Sequence, residues 1–212
     1  MGKFEVERID KIQWFGNGSF LIKGPPLIYI NPWRVVRGTF HADVILVSHD
    51  NYDFCSIADV EKLRGQDTII LGNQAVQSHI PECKVIRPWQ SITIDQISVK
   101  ALPAYSVDSM RYPKEAGGLG FVISMNFYDI YYAGNTELIP EMDLIRPDVA
   151  ILPICGHGSL SVNSAAEATE RLQPRWVIPC QWGEVGESAT RLDAHALKSQ
   201  IGDRAEVVIL EC

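Results

Sequence analysis

Short hydrophobic runs in the first half of the chain predict strands separated by tight turns. The turns are marked by Gly16-Asn17-Gly18, Gly24-Pro25-Pro26 and Asn31-Pro32, which are residue types that break regular structure. The strands predicted around these turns are Phe4–Ile9, Ile12–Phe15, Ser19–Ile22, Leu27–Ile30 and Asp43–Ser48.

The middle of the chain combines short helices with further strands. Ser56 and Asp59 supply an N-cap and a first-turn acid for a helix over Ile57–Leu63. Ser91–Leu102 alternates apolar and polar residues around a break at Asp95-Gln96, which predicts a hairpin. The other elements expected here are a helix across Asn73–His79 and strands at Thr68–Leu71, Lys84–Ile86, Leu119–Met125 and Tyr128–Ala133.

A long polar stretch, Tyr105–Gly118, interrupts the strand pattern and is expected to be a loop. It contains Pro113 and the pair Gly117-Gly118, which disfavour regular structure. Loops of this length in a compact domain are often functional, so this segment is a candidate part of a binding site.

The last third of the chain changes to apolar strands that alternate with helices. Asp148–Ile154 and Trp176–Cys180 are continuous apolar runs of the kind that are buried on both faces of a sheet. Helices are expected over Asn163–Leu172 and Ser188–Ile201, and a final strand over Ala205–Leu210. The whole pattern predicts two sheets packed face to face with helices outside, in a single domain over residues 1–212.

Composition and charge narrow the classes of partner. The 212 residues are 46% hydrophobic and 21% charged, as in an ordinary globular protein. A net charge of −7 and the lack of a basic run argue against nucleic acid. No stretch approaches the ~18 apolar residues of a membrane span, so no membrane partner is expected. The five scattered cysteines form no CxxC motif and the first residues show no signal-peptide pattern, which favours a cytoplasmic protein.

The candidate chemistry is concentrated in Val47–Ser56, with the sequence VSHDNYDFCS. A strand-like run leads into His49, and Asn51, Asp53 and Phe54 follow at spacings where a two-metal hydrolase places His, Asp and His. Histidine and aspartate bind metals, whereas a carboxamide is a poor ligand and a phenyl ring is none. The stretch therefore has the spacing of a metal site in which some ligand types are replaced.

Six further segments complete a resemblance to a known family. The segments are Trp14–Phe20 (WFGNGSF), Ile30–Trp33 (INPW), Pro103–Tyr105 (PAY), Tyr132–Thr136 (YAGNT) followed by Ile139–Met142 (IPEM), Leu152–Ser161 (LPICGHGSLS) and Pro179–Gly183 (PCQWG). With the seventh, His49–Cys55, they resemble the metallo-β-lactamase fold superfamily. Within it, the chain looks closest to small metal-dependent hydrolases related to the L-ascorbate-6-phosphate lactonases and the N-acylphosphatidylethanolamine phospholipases D. The resemblance implies an α/β fold, a four-layer αββα sandwich.

The resemblance also implies a site at the rim between the two sheets, where such proteins hold two metal ions that activate water. His49 and Asp53 match the family's ligands and are the catalytic candidates. The other positions carry different residue types here, and these are the candidate ligand-binding residues. Asn51 and Gln181 stand for histidines, Asn135 for a bridging aspartate, and Tyr112, with Ser106 as the second choice, for the loop histidine. Nearby, Asn17 and Asn31 stand for a histidine and an aspartate.

The replacements are consistent with one another in charge. Two cations removed from a pocket of carboxylates would leave buried negative charge, and asparagine at positions 31 and 135 relieves it. His49 and Asp53 are two donors where a zinc ion needs three or four. We therefore expect no cofactor, with one Zn or Mn ion bound by His49, Asp53 and a further donor such as His157 as the alternative.

These expectations leave several functions open. The first is a non-catalytic or metal-independent protein that binds a small molecule or a protein partner at the former metal cleft. The second is a hydrolase of an ester, lactone or phosphodiester with an atypical site, and the third is a subunit that stabilises an intact relative. A His49–Asp53 dyad and a Cys155–His157 pair are further catalytic candidates. The simpler explanations are a hydrogen-bonded structural pair for His49 and Asp53 and a tolerated packing change at Cys155. Family members often form homo-oligomers, and one is possible here.

Overall fold

The computed structural model describes residues 9–36, 40–183 and 189–212 of the chain. The predicted strand Phe4–Ile9 lies outside these residues except for Ile9. Two sheets of six and seven strands form the centre of the molecule.

The first sheet begins as an antiparallel meander and continues as parallel strands. Its strands follow the order of the sequence across the sheet. They are β1 (Ile12–Trp14), β2 (Phe20–Ile22), β3 (Ile28–Ile30), β4 (Ala42–Leu46), β5 (Arg64–Gly72) and β6 (Lys84–Val85).

The second sheet has the same arrangement, with an antiparallel half followed by a parallel half. Strands β10 to β13 run parallel to one another, so their carboxyl ends lie at one edge of the sheet. The strands are β7 (Ser91–Ile94), β8 (Ile97–Pro103), β9 (Leu119–Met125), β10 (Tyr128–Tyr132), β11 (Val149–Pro153), β12 (Trp176–Cys180) and β13 (Glu206–Val207).

Four α-helices lie within the described residues: α1 (Ile57–Leu63), α2 (Gln74–His79), α3 (Val162–Leu172) and α4 (Arg191–Ile201). Three helices have side-chain caps, because Ser56, Asn73 and Ser161 each accept a hydrogen bond from a backbone N–H of the first turn. Of these caps, Ser56 was predicted from the sequence. Short 3₁₀ helices occupy Lys114–Ala116, Pro140–Leu144 and Gly202–Arg204. None of the helices in this part of the chain has the length and apolar character of a membrane span.

The apolar residues divide into two clusters that match four layers. The larger cluster fills the space between the sheets and continues under α3 and α4, with Phe20, Leu46, Phe121 and Ile151 buried in it. The smaller cluster lies on the outer face of the first sheet under α1 and α2. Full burial of one such side chain stabilises the fold by roughly 1.5–3 kcal/mol, so the two clusters account for the layered arrangement. The predicted αββα sandwich is confirmed.

The end of the chain differs in detail from its prediction. Strand β13 covers only Glu206–Val207 of the predicted Ala205–Leu210, because the residues after Val208 are half-buried and pair less with the sheet. Helix α4 begins at Arg191, after a capping box made by Thr190 and Asp193, and the predicted start at Ser188 lies outside the described residues.

Candidate functional site

The candidate residues meet because four strands of the two sheets end at the same rim. Asn31 follows β3, His49 follows β4, Asn135 follows β10 and Gln181 follows β12. Side chains just beyond the carboxyl ends of parallel strands gather in the crevice outside the sheet edge, which is a common place for ligand sites in α/β folds. The rim therefore places residues that are far apart in sequence in one small region.

Two neighbouring cavities open at this rim. The first, here called the amide cleft, has a volume of about 110 Å³, and its lining includes Phe54, Tyr112, Cys155 and Ser159. Its polar side chains that could contact a ligand are Asn17, Asp53, Arg111, Asn135, His157 and Gln181. The second, here called the rear cavity, has a volume of about 130 Å³ and is lined in part by His49, Asn51, Asn73, Arg111 and Tyr112.

A chain of side-chain hydrogen bonds forms the floor of the amide cleft. The thiol of Cys155 donates to Gln181 Oε1 at 3.1 Å, and Gln181 Nε2 donates to Asn135 Oδ1 at 2.8 Å. Gln181 thus binds the side-chain oxygen of Asn135, and the Nδ2 of Asn135 is the last donor in this chain of hydrogen bonds. That nitrogen is buried and has no hydrogen-bond partner among the described residues.

The carboxylate of Asp53 is held at the cleft by the turn after β1. Asn17 Nδ2 donates to Asp53 Oδ2 at 2.9 Å. Asn17 itself has a left-handed backbone with φ 45°, and its carbonyl oxygen accepts from Trp14 Nε1 and from the backbone N–H of Gln181. The turn thus positions a donor toward Asp53 and ties it to the floor of the cleft.

Asn31 lies beneath the rim in a buried network. Its Nδ2 donates to Ser48 Oγ at 2.9 Å and to Tyr132 Oη at 2.8 Å, while its Oδ1 accepts from the backbone N–H of Ser48 at 2.8 Å. Tyr132 in turn donates to the carbonyl of Gly18 at 3.1 Å. The network joins β3, β4, β10 and the first turn, so Asn31 has a structural contact set and lines neither cavity.

His49 is enclosed by two aromatic rings and lines the rear cavity. Its ring makes edge contacts with Phe54 and Tyr112 at centroid distances of 5.7 and 5.6 Å, and its Nδ1 is 2.9 Å from Ser48 Oγ. Its Nε2 is buried without a hydrogen-bond partner in the described structure. Burial lowers the pKa of His49 to about 4, against an opposing hydrogen bond with the backbone of Asn135, so the imidazole is neutral at physiological pH.

Because His49 is neutral when folded, acid should weaken the fold through this residue. A pKa of 6.5 in the unfolded chain and about 4 in the folded chain gives a contribution that is complete above 6.5 and is lost as the pH falls toward 4. We expect wild type to lose about 2 kcal/mol more than His49→Gln between pH 7 and pH 5, measured by urea unfolding at both pH values. Equal losses in the two proteins would contradict the neutral, buried state.

The loop Tyr105–Gly118 separates the two cavities and is fixed at several points. The backbone N–H groups of Val107 and Asp108 both donate to Glu137 Oε2, at 2.7 and 2.8 Å. Ser106 Oγ donates to the carbonyl of Gly158 at 2.6 Å, and Asn73 Nδ2 donates to the carbonyl of Gly117 at 2.9 Å. These anchors hold Tyr112, which lines both cavities, against the ring of His49.

The structure separates the predicted site residues into three groups. The cavity called the amide cleft is lined by Asn17, Asp53, Tyr112, Asn135 and Gln181. His49 and Asn51 line the rear cavity. Asn31 lies in the network below. The proposed dyad is divided, because His49 pairs with Ser48 and Asp53 pairs with Asn17.

Two residues of the cleft were not predicted from the sequence. Arg111 lines both cavities, and Ser159 lines the amide cleft. Arg111 could have been found from the sequence, because it is next to Tyr112 in the loop that was expected to be functional. Nothing in the sequence marks Ser159, a serine in a Gly-rich turn, as a site residue. Cys155 and His157 both line the cleft, but the thiol of Cys155 is directed to Gln181.

The donors at this rim do not fit a two-ion centre. No group of three or more His, Cys, Asp or Glu side chains within the described ranges is placed to hold a metal ion. His49 and Asp53 line different cavities, and the buried ring of Phe54 packs against the imidazole of His49. The amides of Asn135 and Gln181 bind each other at positions where carboxylate and imidazole ligands are expected from the resemblance.

Comparison with known sequences identifies the family. A family model described as a beta-lactamase superfamily domain matches residues 11–181. The chain belongs to this superfamily. It is similar to a UPF0173 metal-dependent hydrolase of Thermococcus kodakarensis, with 29% identity over 95% of this chain and 96% of that protein. A UPF0173 metal-dependent hydrolase of Pyrobaculum neutrophilum is 30% identical over the same shares of the two chains.

Solved structures of the superfamily share the fold. A protein of Parabacteroides distasonis aligns with a TM-score of 0.83 and 24% identity, over 94% of this chain and 93% of that one. A metallo hydrolase of Ignicoccus hospitalis aligns with a TM-score of 0.76 and 21% identity, over 94% of both chains. These similarities support the two-sheet metallo-β-lactamase architecture inferred from the turn motifs.

The relatives correct one expectation from the sequence. A non-catalytic or metal-independent binding protein was the first interpretation of the altered ligands, and it is wrong as the leading function. The UPF0173 relatives that cover nearly the whole chain carry the name of metal-dependent hydrolases. The first interpretation assumed that loss of most metal ligands ends the hydrolase function, whereas relatives named as hydrolases match nearly the whole chain.

Proposed function

We propose that this protein is a hydrolase with an atypical site, acting on an ester, lactone or phosphodiester bound at the amide cleft. The observation that supports this proposal is the intact, polar cleft at the rim of a superfamily fold whose UPF0173 relatives are named as hydrolases. The cleft keeps a carboxylate, an arginine, a histidine and three carboxamides within a small volume. Such a set can bind a substrate oxygen and hold a water beside it.

Asp53 is the carboxylate of the cleft and the residue on which the proposed reaction depends most. Its Oδ2 is oriented by Asn17, so the carboxylate has a fixed position from which it can accept a proton from water. An ion-binding role for the same side chain would also require the carboxylate. We therefore expect Asp53→Ala to lower kcat by about 100-fold or more, because a positioned acid–base group contributes about 10²–10⁴-fold.

Asp67→Ala is the matched control, because Asp67 is exposed on β5 and lies outside both cavities. Its kcat should equal that of wild type in the same steady-state assay. Equal kcat values for Asp53→Ala and Asp67→Ala, with hydrolysis still measurable, would show that the reaction does not use this carboxylate.

The metal requirement is part of the same test. The relatives are named metal-dependent, whereas the described donors of this chain are compatible with at most a single Zn or Mn ion at an atypical site. Wild type should be assayed on aryl esters, lactones and phosphodiesters as purified, after chelation, and with Zn²⁺ or Mn²⁺ restored. Loss on chelation and recovery with either ion would support the single-ion form. No hydrolysis of any substrate class under any of these conditions would overturn the proposal.

The compartment is proposed on the chemistry of the cysteines. None of the five cysteines forms a disulfide. Cys55 and Cys83 are buried, and burial raises their pKa values to about 11 and 12, so their thiols are unreactive at neutral pH. Free cysteines persist in a reducing compartment, and we propose the cytoplasm.

A further inference from the structure

The buried Nδ2 of Asn135 indicates which kind of substrate group the amide cleft can bind. The side chain of Asn135 is fully buried, and its Nδ2 has no hydrogen-bond partner among the described residues. A buried donor without a partner costs about 1–3 kcal/mol, so a partner supplied from the cleft would be favourable. Since Gln181 already donates to the Oδ1 of Asn135, the amide can offer a ligand only an N–H donor.

Arg111 places a positive charge at the same cleft. Its guanidinium carbon lies 5.6 Å from the centroid of the Tyr112 ring, which keeps the side chain at the boundary of the two cavities. A guanidinium carries only donors and binds oxygen anions in a planar geometry. Arg111 and Asn135 both line the amide cleft, and its volume of about 110 Å³ suits a small oxygen anion.

The charged side chains of the amide cleft determine which ligand charge can be bound there. Arg111 contributes one positive charge and Asp53 one negative charge, and the whole protein has a net charge of −7. The cost of removing an ion from water rises with the square of its charge, so a dianion would lose far more hydration than one guanidinium, opposed by Asp53, replaces. A monoanion loses less hydration and can pair with Arg111 and approach Asn135. A neutral oxygen would form no ion pair with Arg111.

We propose that the amide cleft recognises a singly charged oxygen anion on the substrate, bound by the guanidinium of Arg111 and the Nδ2 of Asn135. This rests on the proposed hydrolase function and narrows its substrates to phosphodiesters and to esters or lactones that carry one carboxylate. Arg111 and Asn135 are thus specificity residues, distinct from the carboxylate of Asp53.

Binding of inert probes to the full-length protein tests this without turnover. Dimethyl phosphate represents the phosphodiester, acetate the carboxylate, trimethyl phosphate the neutral ester and inorganic phosphate at pH 8 the dianion. Each is titrated into ¹⁵N-labelled protein at fixed ionic strength while the side-chain amide signals are followed by NMR. At least one of the two monoanions should shift the Asn135 amide signal and bind about tenfold more tightly than trimethyl phosphate or inorganic phosphate.

Two variants with matched controls assign the binding. Arg111→Gln removes the charge from an exposed side chain, and Asn135→Asp replaces the donor by a carboxylate of the same shape. Each should weaken the bound monoanion by about tenfold or more. Arg87→Gln and Asn126→Asp make the same changes at exposed positions outside the cleft and should leave binding unchanged.

Several results would overturn the inference. The first is that dimethyl phosphate and trimethyl phosphate bind equally well. The second is that the monoanion still binds to the Arg111→Gln variant with unchanged affinity. The third is that none of the probes saturates the protein and only ordered water contacts Asn135. Hydrolysis of a neutral ester by a protein that binds neither monoanion would leave the hydrolase function standing and refute the anion site alone. A difference between dimethyl phosphate and acetate would identify which kind of monoanion the cleft prefers.

Discussion

Replacement of Gly134 by alanine is expected to lower the free energy of unfolding by about 3 kcal/mol or more. Gly134 has φ +74°, a left-handed conformation that costs a residue with a Cβ roughly 1–2 kcal/mol. A Cβ at this position would also lie 2.5 Å from the carbonyl oxygen of Leu119, which is backbone and cannot move aside, and 3.2 Å from Cε1 of His49. Overpacking of this kind costs typically 1–3 kcal/mol.

Gly117→Ala separates the two contributions. Gly117 has a similar φ of +69°, but a Cβ there would meet no atom within 4 Å. Urea unfolding should therefore show a loss of about 1–2 kcal/mol for Gly117→Ala and a clearly larger loss for Gly134→Ala. Equal losses would mean that the contact between Gly134 and the carbonyl of Leu119 contributes nothing, and that the rim is looser than the structure indicates.

Replacement of Asn31 by alanine is expected to cost about 3 kcal/mol of stability. The change removes two donated hydrogen bonds and one accepted hydrogen bond from a side chain that is fully buried. It leaves the backbone N–H of Ser48 buried without an acceptor, and an unsatisfied buried donor costs about 1–3 kcal/mol. The loss should appear in urea unfolding as a lower midpoint with an unchanged slope.

Asn126→Ala is the control for the backbone conformation of Asn31. Both asparagines have left-handed backbones, with φ 51° at Asn126 and 45° at Asn31, but Asn126 is exposed in the turn between β9 and β10. The difference between the two losses then measures the buried network alone. A difference near zero would show that water replaces the side chain of Asn31 without cost.

Much of the fold could be predicted from local sequence patterns, because the tertiary packing of this protein agrees with them. Helix α1 covers the predicted Ile57–Leu63 because Ser56 caps it and Val60 and Leu63 are its buried face. Strand β12 keeps its predicted bounds because all of its residues are buried between neighbouring parallel strands. Strand β13 falls short because, at the sheet edge, pairing depends on only one neighbouring strand, which the sequence does not reveal.

The geometry of the site could be predicted less well than its location. The order of the turn motifs was enough to bring Asn17, Asn135 and Gln181 to one rim. The motif spacing did not show that the ring of His49 turns toward the rear cavity, because that orientation is set by contacts with Phe54 and Tyr112 from separate parts of the chain. Arg111 was missed for the same reason: a residue in a long loop acquires its neighbours only when the loop is anchored by Glu137 and Gly158.

The hydrogen-bonded row of Cys155, Gln181 and Asn135 makes these three positions depend on one another. Aspartate at position 135 would place a buried negative charge beside Gln181, and loss of the Gln181 amide would remove the donor to Asn135 Oδ1. Partners in one buried network do not change independently, so a substitution in the row is expected to disturb its neighbours, whereas Arg111 in the loop is exposed. The chemistry of the cleft is therefore easier to alter through the loop that carries Arg111 than through the row itself.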